Sequence, residues 1–176
     1  ATVQVFEDTT GIRPGDRAEA SGHPLSVSLA PGILHNIFDG IERPLEQIAA
    51  QSGKYISRGT QVDSLDYQKR WETQITVSAG DQIKPGDVIA QVPETAAITH
   101  RCMVPPGVQG VVEKTVCDGN YTIDEPLVTV RQENGDLKEL PMMQQWPIRV
   151  PRPVSLRYPA SRPLITGQRI LDTMFP

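Results

Sequence analysis

The chain has 176 residues, enough to bury one core, or one domain and part of another. Its net charge is −4 with acids and bases interspersed, so it has no basic stripe for nucleic acid. No apolar run approaches the roughly 20 residues of a membrane-spanning helix. Sixteen prolines and fourteen glycines then predict short strands and many turns. Residues 2–6 alternate apolar and polar, which puts Val3 and Val5 on one face of a first strand. Residues 25–29 do the same, with Leu25, Val27 and Leu29 inward, and residues 17–21 read as a third short strand. Between them, Arg13-Pro-Gly-Asp16 is a type II turn signal: Pro presets φ at one central position and Gly supplies φ > 0 at the next. Pro31-Gly32 ends this sheet. Ile33, Leu34, Ile37, Phe38 and Ile41 then recur at helical spacing, and Pro44 suits the first turn of a second short helix through about Ala49, with a kink at Asp39-Gly40.

From residue 53 to about residue 150 the signals are β again. Residues 71–77 read as a strand, and residues 81–92 as a turn and a strand. Residues 108–116 form another, and 127–131 and 137–140 form a hairpin closed by Asn134-Gly135. Short strands with turns at close intervals predict a compact barrel or sandwich that stands as a folded unit. Residues 147–163 hold five prolines and read as an extended connector. The final apolar run, Ile170, Leu171, Met174 and Phe175, stops inside an apolar element, which is expected of a piece of a longer chain.

Few residues invite a chemical reading. Cys102 and Cys117 are expected as reduced, partly buried thiols. His100 lies two positions from Cys102, but a zinc site would need two more ligands and only His23 and His35 are left among the histidines. Asp81, Asp87, Asp118, Asp124 and Asp136 mostly sit beside Gly or Pro, where Asp caps turn N–H groups; a carboxylate set is the sharper, weaker reading. Ser26 and Ser28 with His23 do not make a triad, because nothing marks either serine as a strained nucleophile. Arg149, Arg152 and Arg157 read as part of a solvated linker or as a contact to a neighbouring subunit. Trp71 and Trp146 read as core. No G-x-x-x-x-G-K-[ST] occurs in these residues, so they hold no Gly-rich phosphate cradle with its Lys.

A series of stretches, in order along the chain, carries a resemblance. Thr10-Gly-Ile-Arg-Pro-Gly-Asp16 running on to Ile37-Phe-Asp-Gly-Ile-Glu-Arg-Pro-Leu45 resembles the end of the N-terminal barrel and the connector in the catalytic A subunit of vacuolar/archaeal-type rotary ATPases. Lys69-Arg-Trp-Glu72, Ile83-Lys-Pro-Gly-Asp-Val-Ile89, Met103-Val-Pro-Pro-Gly-Val-Gln-Gly110, Tyr121-Thr-Ile123 and Gln145-Trp-Pro-Ile-Arg-Val-Pro-Arg-Pro153 are similar to the bulge, or non-homologous region, of that protein. Ser161-Arg-Pro-Leu-Ile-Thr-Gly-Gln-Arg-Ile-Leu-Asp-Thr-Met-Phe-Pro176 resembles the lead-in to its phosphate-binding loop.

The resemblance implies a mainly β chain in four parts. Residues 1–30 would be the last strands of the N-terminal β-barrel and 31–52 a helical connector. Residues 53–150 would be a barrel-sandwich-hybrid-like bulge, and 151–176 a proline-rich lead-in to a nucleotide domain lying outside these residues. It implies a structural and regulatory part of a larger protein whose complex couples ATP hydrolysis or synthesis to proton or sodium transport. ATP and Mg²⁺ would be held elsewhere in the parent, so no catalytic, cofactor-binding or metal residue is carried over to this chain. The implied partners are B subunits of the hexameric head and peripheral stator-stalk subunits, in a cytoplasmic, peripheral membrane complex. A homodimer through an open sheet edge, with Val3 and Val5 on the pairing strand, is the further association expected.

A second resemblance points to a different class. Residues 79–92 followed by Pro105-Pro-Gly-Val-Gln-Gly-Val-Val112 are similar to the strands of lipoyl and biotinyl carrier domains. Those carry their cofactor on a Lys in the hairpin between, and residues 93–104 contain no Lys. That leaves a carrier-like or adaptor shape without the chemistry.

Overall fold

The computed structural model describes residues 5, 8–20, 22, 24–57, 59–154 and 156–174. Among these are ten strands: β1 (Ser26–Leu29), β2 (Trp71–Ile75), β3 (Gln82–Ile83), β4 (Val88–Pro93), β5 (Thr99–Met103), β6 (Gly110–Thr115), β7 (Gly119–Tyr121), β8 (Val128–Gln132), β9 (Leu137–Leu140) and β10 (Gln144–Pro147). A 3₁₀ turn spans Ile33–His35, and two short helices follow, α1 (Leu45–Ser52) and α2 (Arg169–Met174). The fold is mainly β, with two four-stranded sheets ordered β5-β4-β2-β7 and β3-β6-β8-β9 and a two-stranded ribbon β1-β10. Neither four-stranded sheet closes into a barrel among the described residues.

The core lies between the two larger sheets. Trp71, Ile89, Val92 and Cys102 come from one, and Ile83, Val112, Val128, Val130 and Leu140 from the other; Leu65, Ile123, Leu127 and Met142 fill in from the loops. β2 alternates as its pattern predicts, with Trp71 and Thr73 buried and Glu72 and Gln74 exposed. β4 departs from that period. Ile89 and Ala90 are both buried because the pairing register to β5 slips between Val88 and Ala90. A second slip, between Val112 and Lys114, leaves Glu113 and Lys114 both outside. Where β6 crosses β8, Gly110 has φ +156° and a Cβ built on it would lie 2.1 Å from the Arg131 carbonyl oxygen, so only glycine admits this approach.

The turn chemistry holds. Gly15 and Gly86 have φ of +99° and +91°, and in both turns the Asp that follows caps the residue before Pro. Arg13 N–H donates to Asp16 at 2.7 Å, and Lys84 N–H to Asp87 at 2.9 Å. The Asn134-Gly135 hairpin closes with Gly135 at φ +86°.

The first fifty residues differ from the sequence reading. Most of the strand expected at residues 2–6, Val3 included, lies outside the described residues, and Val5 is exposed and in no strand. Residues 17–20 form no strand and are exposed, and among the described residues no strand pairs with them; Ser21 is outside the description. β1 is real, but it pairs antiparallel with β10, Ser26 facing Pro147 and Leu29 facing Gln144. Its faces are also the reverse of those expected. Ser28 is the buried residue, Val27 and Leu29 are half-buried, and Leu25 is 45% exposed. The helix expected through Ile41 is only the 3₁₀ turn. The chain then folds back on itself through a bridge between Phe38 and Pro44, with Glu42 at φ +66° between them. Pro44 sits at the cap of α1, one place before the position expected. β5, β7, β10 and α2 have no counterpart in the sequence reading.

Candidate functional site

The place where the described structure concentrates its buried polar groups is the junction between the connector and the β4–β5 hairpin. That hairpin turns at residues 94–98. The Thr95 hydroxyl accepts the N–H groups of Ala97 and Ile98, which folds the tip tightly. The tight tip throws the Glu94 side chain inward, where the residue is 8% exposed. Its Oε1 accepts the N–H of Gly32 at 2.7 Å and of Leu34 at 3.4 Å. These are the N–H groups at the start of the 3₁₀ turn, which have no partner inside it. A buried carboxylate is tolerated only when so bonded. The Asn36 side chain accompanies it by donating to the Gly32 carbonyl.

Glu94 Oε2 faces His100 Nδ1 at 3.7 Å, an electrostatic contact and not a hydrogen bond. Burial pushes the His100 pKa below its ordinary value, and the Glu94 charge opposes that only in part. Beside it on β5, Cys102 is buried and its thiol is pushed up to about 12 by desolvation, so it is unreactive at neutral pH. Cys117 is exposed.

A second carboxylate holds the other side of the connector. Glu42 accepts the Ser28 N–H with both oxygens, at 3.0 and 2.8 Å. Burial raises its pKa, and the Ser28 hydrogen bond works against that. Gln145 of β10 donates to the Ser28 hydroxyl at 2.9 Å. This explains the reversed face of β1: its buried position is filled by a serine whose polar groups are met from two directions. Asp39 and Arg43 form a third bonded pair, Nε to Oδ2 at 2.8 Å. Burial would raise the Asp39 carboxyl, but hydrogen bonds from the Arg43 backbone and side chain and from Ile41 N–H hold it below its usual value.

The residues singled out by sequence are not gathered into one site. The five aspartates serve separate turns and loops. Asp81 caps Ser78 N–H, Asp87 caps Lys84 N–H, Asp118 accepts from Ile75 N–H, Asp124 from the Thr122 hydroxyl and Asp136 from the Asn134 side chain. His23 lies outside the described residues, as does the side chain of His35. No group of three or more His, Cys, Asp or Glu with metal-holding geometry occurs among the described residues. Trp71 is core, with Lys69 Nζ 3.8 Å over its ring, whereas Trp146 is half-buried and donates to the Val150 carbonyl. Arg149, Arg152 and Arg157 are exposed, Arg152 reaching the Met103 sulfur at 3.7 Å. Glu94 and Glu42 went unseen by sequence. The only available signal was a Glu just past an apolar strand end.

No helix of the described residues is long and apolar enough to cross a membrane. The two-sheet unit matches a family model described as the ATP synthase alpha/beta subunit barrel-sandwich domain, over residues 62–149. The chain belongs to that family. Around its barrel-sandwich domain, the full 176 residues are 49% identical to the V-type ATP synthase alpha chain of Halothermothrix orenii. They are 47% identical to the A subunit of the A-type ATP synthase of Methanopyrus kandleri and, again over 176 residues, to that of Pyrococcus abyssi. The chain spans 30% of the length of the first two and 17% of the third. The likeness expected from the sequence motifs, to the A subunit of V/A-type ATPases, is therefore found along the whole chain.

Proposed function

We propose that this chain is the non-catalytic, structural part of an A subunit, and that its barrel-sandwich domain is a rigid projection offered to other subunits. The observation that carries this is the match over residues 62–149, in a chain whose own residues hold no phosphate cradle. In this reading the parent protein binds ATP and Mg²⁺ through residues outside this chain. It alternates with B subunits and couples ATP hydrolysis or synthesis to proton or sodium transport in a peripheral membrane complex on the cytoplasmic side. The divisions at residues 1–30, 31–52, 53–150 and 151–176 belong to the same reading, with β1 and Ala30 packing against the third part.

The lead-in supports a neighbour. Val154, Leu156, Tyr158, Leu164 and Ile165 are between 62% and 85% exposed, a run of apolar side chains that a solvated linker would not need. The barrel-sandwich domain has stator-stalk subunits as its proposed partners. The pairing of two copies proposed through Val3 and Val5 rests on residues 2–6, most of which lie outside the described residues. Sedimentation at high concentration checks it.

The carrier reading loses ground at the hairpin tip. Carriers attach their cofactor to a Lys at this hairpin, and residues 93–104, which include the β4–β5 tip, contain none.

Two measurements test the proposal. Calorimetry of the chain with Mg-ATP is expected to show no saturable micromolar site. Crosslinkers placed on the exposed face of β6 and β8 in the assembled complex are expected to capture stalk subunits. Capture of only B subunits would reject the outward projection.

A further inference from the structure

Among the described residues, the hydrogen bonds between the β4–β5 tip and the connector end on one carboxylate. Glu94 Oε1 takes the Gly32 and Leu34 N–H groups, and Glu94 Oε2 stands 3.7 Å from His100 Nδ1. The imidazole is thus near enough to feel the charge but too far to share a proton. It sits on β5 opposite Val92, an apolar neighbour, and Arg101 beside it is exposed on the other face of the strand. Among the described residues, the connector offers Glu94 two backbone N–H groups. Among the described side chains, Glu94 is the one charged group acting on His100.

We propose that this contact is an acid-released latch: protonation of His100 loosens the connector's 3₁₀ turn from the hairpin tip.

The physical argument is linkage. In the docked state burial disfavours the imidazolium, so His100 binds a proton less readily than it would in water. A group whose pKa is depressed in the closed state stabilises that state above its ordinary pKa, and the stabilisation is lost as pH falls. Histidine places this window in the slightly acid range. The charge that appears must then be met by water or by Glu94. Drawing Glu94 Oε2 onto Nδ1 turns the same carboxylate away from the two connector N–H groups. Both routes weaken the one side-chain acceptor those N–H groups have.

The test is amide exchange by NMR on the intact chain, corrected to protection factors, with the His100 imidazole followed in the same samples. Protection at Gly32 and Leu34 is expected to fall on the order of threefold or more between about pH 7.5 and about pH 5.5, tracking the His100 titration. His100→Gln is expected to keep the neutral-pH protection and lose its pH dependence. His35→Gln, the connector's own histidine, is expected to change neither. The same fall in His100→Gln, its loss in His35→Gln, or no fall in the parent chain overturns the latch. Glu94→Gln gives an independent check if the His100 variant does not fold. It keeps an acceptor for Gly32 but removes the charge, so the His100 midpoint should move to lower pH. An unmoved midpoint would mean the two groups are not coupled.

Discussion

Gly32 lies against the indole of Trp71: a Cβ built on the glycine would stand 3.3 Å from Cζ2 of the ring. The glycine also has φ +106°, a conformation that L side chains rarely adopt. Gly32→Ala therefore meets two costs at once, backbone strain and a push on a buried aromatic. We expect a loss of about 1–3 kcal/mol in urea unfolding. A change within a few tenths would mean that the connector can shift away from the ring.

Gly110→Ala should be worse. Its Cβ would lie 2.1 Å from a backbone oxygen, and backbone cannot step aside as a side-chain end can. β6 and β8 must separate, or Gly110 must leave the ladder. The expected loss is about 3 kcal/mol or more, or failure to fold, read by a thermal melt. Wild-type stability would show that the strands tolerate a wider spacing at that crossing.

Glu42 makes a pH-dependent prediction of known sign. Its folded pKa is raised by burial, so its contribution is fully present below its unfolded value and is lost as pH rises through the folded one. Glu42→Gln keeps an oxygen for Ser28 N–H and cannot ionise. It should be as stable as the parent or slightly more so at pH 7, with a flatter profile between about pH 4 and 6. Glu42→Ala leaves the Ser28 N–H without that acceptor and should cost about 1–2 kcal/mol. Parallel urea curves at two pH values distinguish these; a Gln variant clearly weaker at pH 7 would show that the ion is needed.

The stable unit should begin before residue 53. Ala30 is 1% exposed within the core cluster, and β1 supplies one strand of the ribbon. A chain of residues 24–150 is expected to melt cooperatively and several degrees above one of residues 53–150. Coincident midpoints would make the ribbon an ornament of the fold.

Much of the β unit was readable because its residues obey strict local rules. The Arg13 and Lys84 turns and the Asn134-Gly135 hairpin declare themselves through Gly, Pro and Asp alone. β9 was placed to the residue, and β2 and β8 to within two, by alternation. β5 and β10 were missed for a matching reason: Thr99-His-Arg-Cys-Met103 and Gln144-Gln-Trp-Pro147 carry too few apolar residues to show a period. The helix expected at residues 33–41 had the right spacing. It stops after His35, where Asn36 is extended at φ −110° and ψ 150°, and the chain turns back through the Phe38–Pro44 bridge; the turn's first N–H groups go to a long-range acceptor, Glu94, that no local pattern contains. β1 was turned over for the same cause. Alternation assumes the apolar side is the buried side, and here Glu42 and Gln145 make a serine the better occupant. The candidate junction was illegible because its parts are distant in sequence, Glu94 from Gly32 by 62 positions.

The β1–β10 ribbon has a mechanical consequence. Its strands run antiparallel, and Ile148 N–H donates to the Leu25 carbonyl beyond the Ser26–Pro147 pair, so the chain arrives and departs at the same end. A force drawing those two chain ends apart opens the ribbon one rung at a time from Leu25 inward, as a zipper opens, and meets little resistance. A sideways load on the far end of the domain instead bears on all the rungs together. The ribbon is thus a stiff neck against bending and a weak seam against splitting.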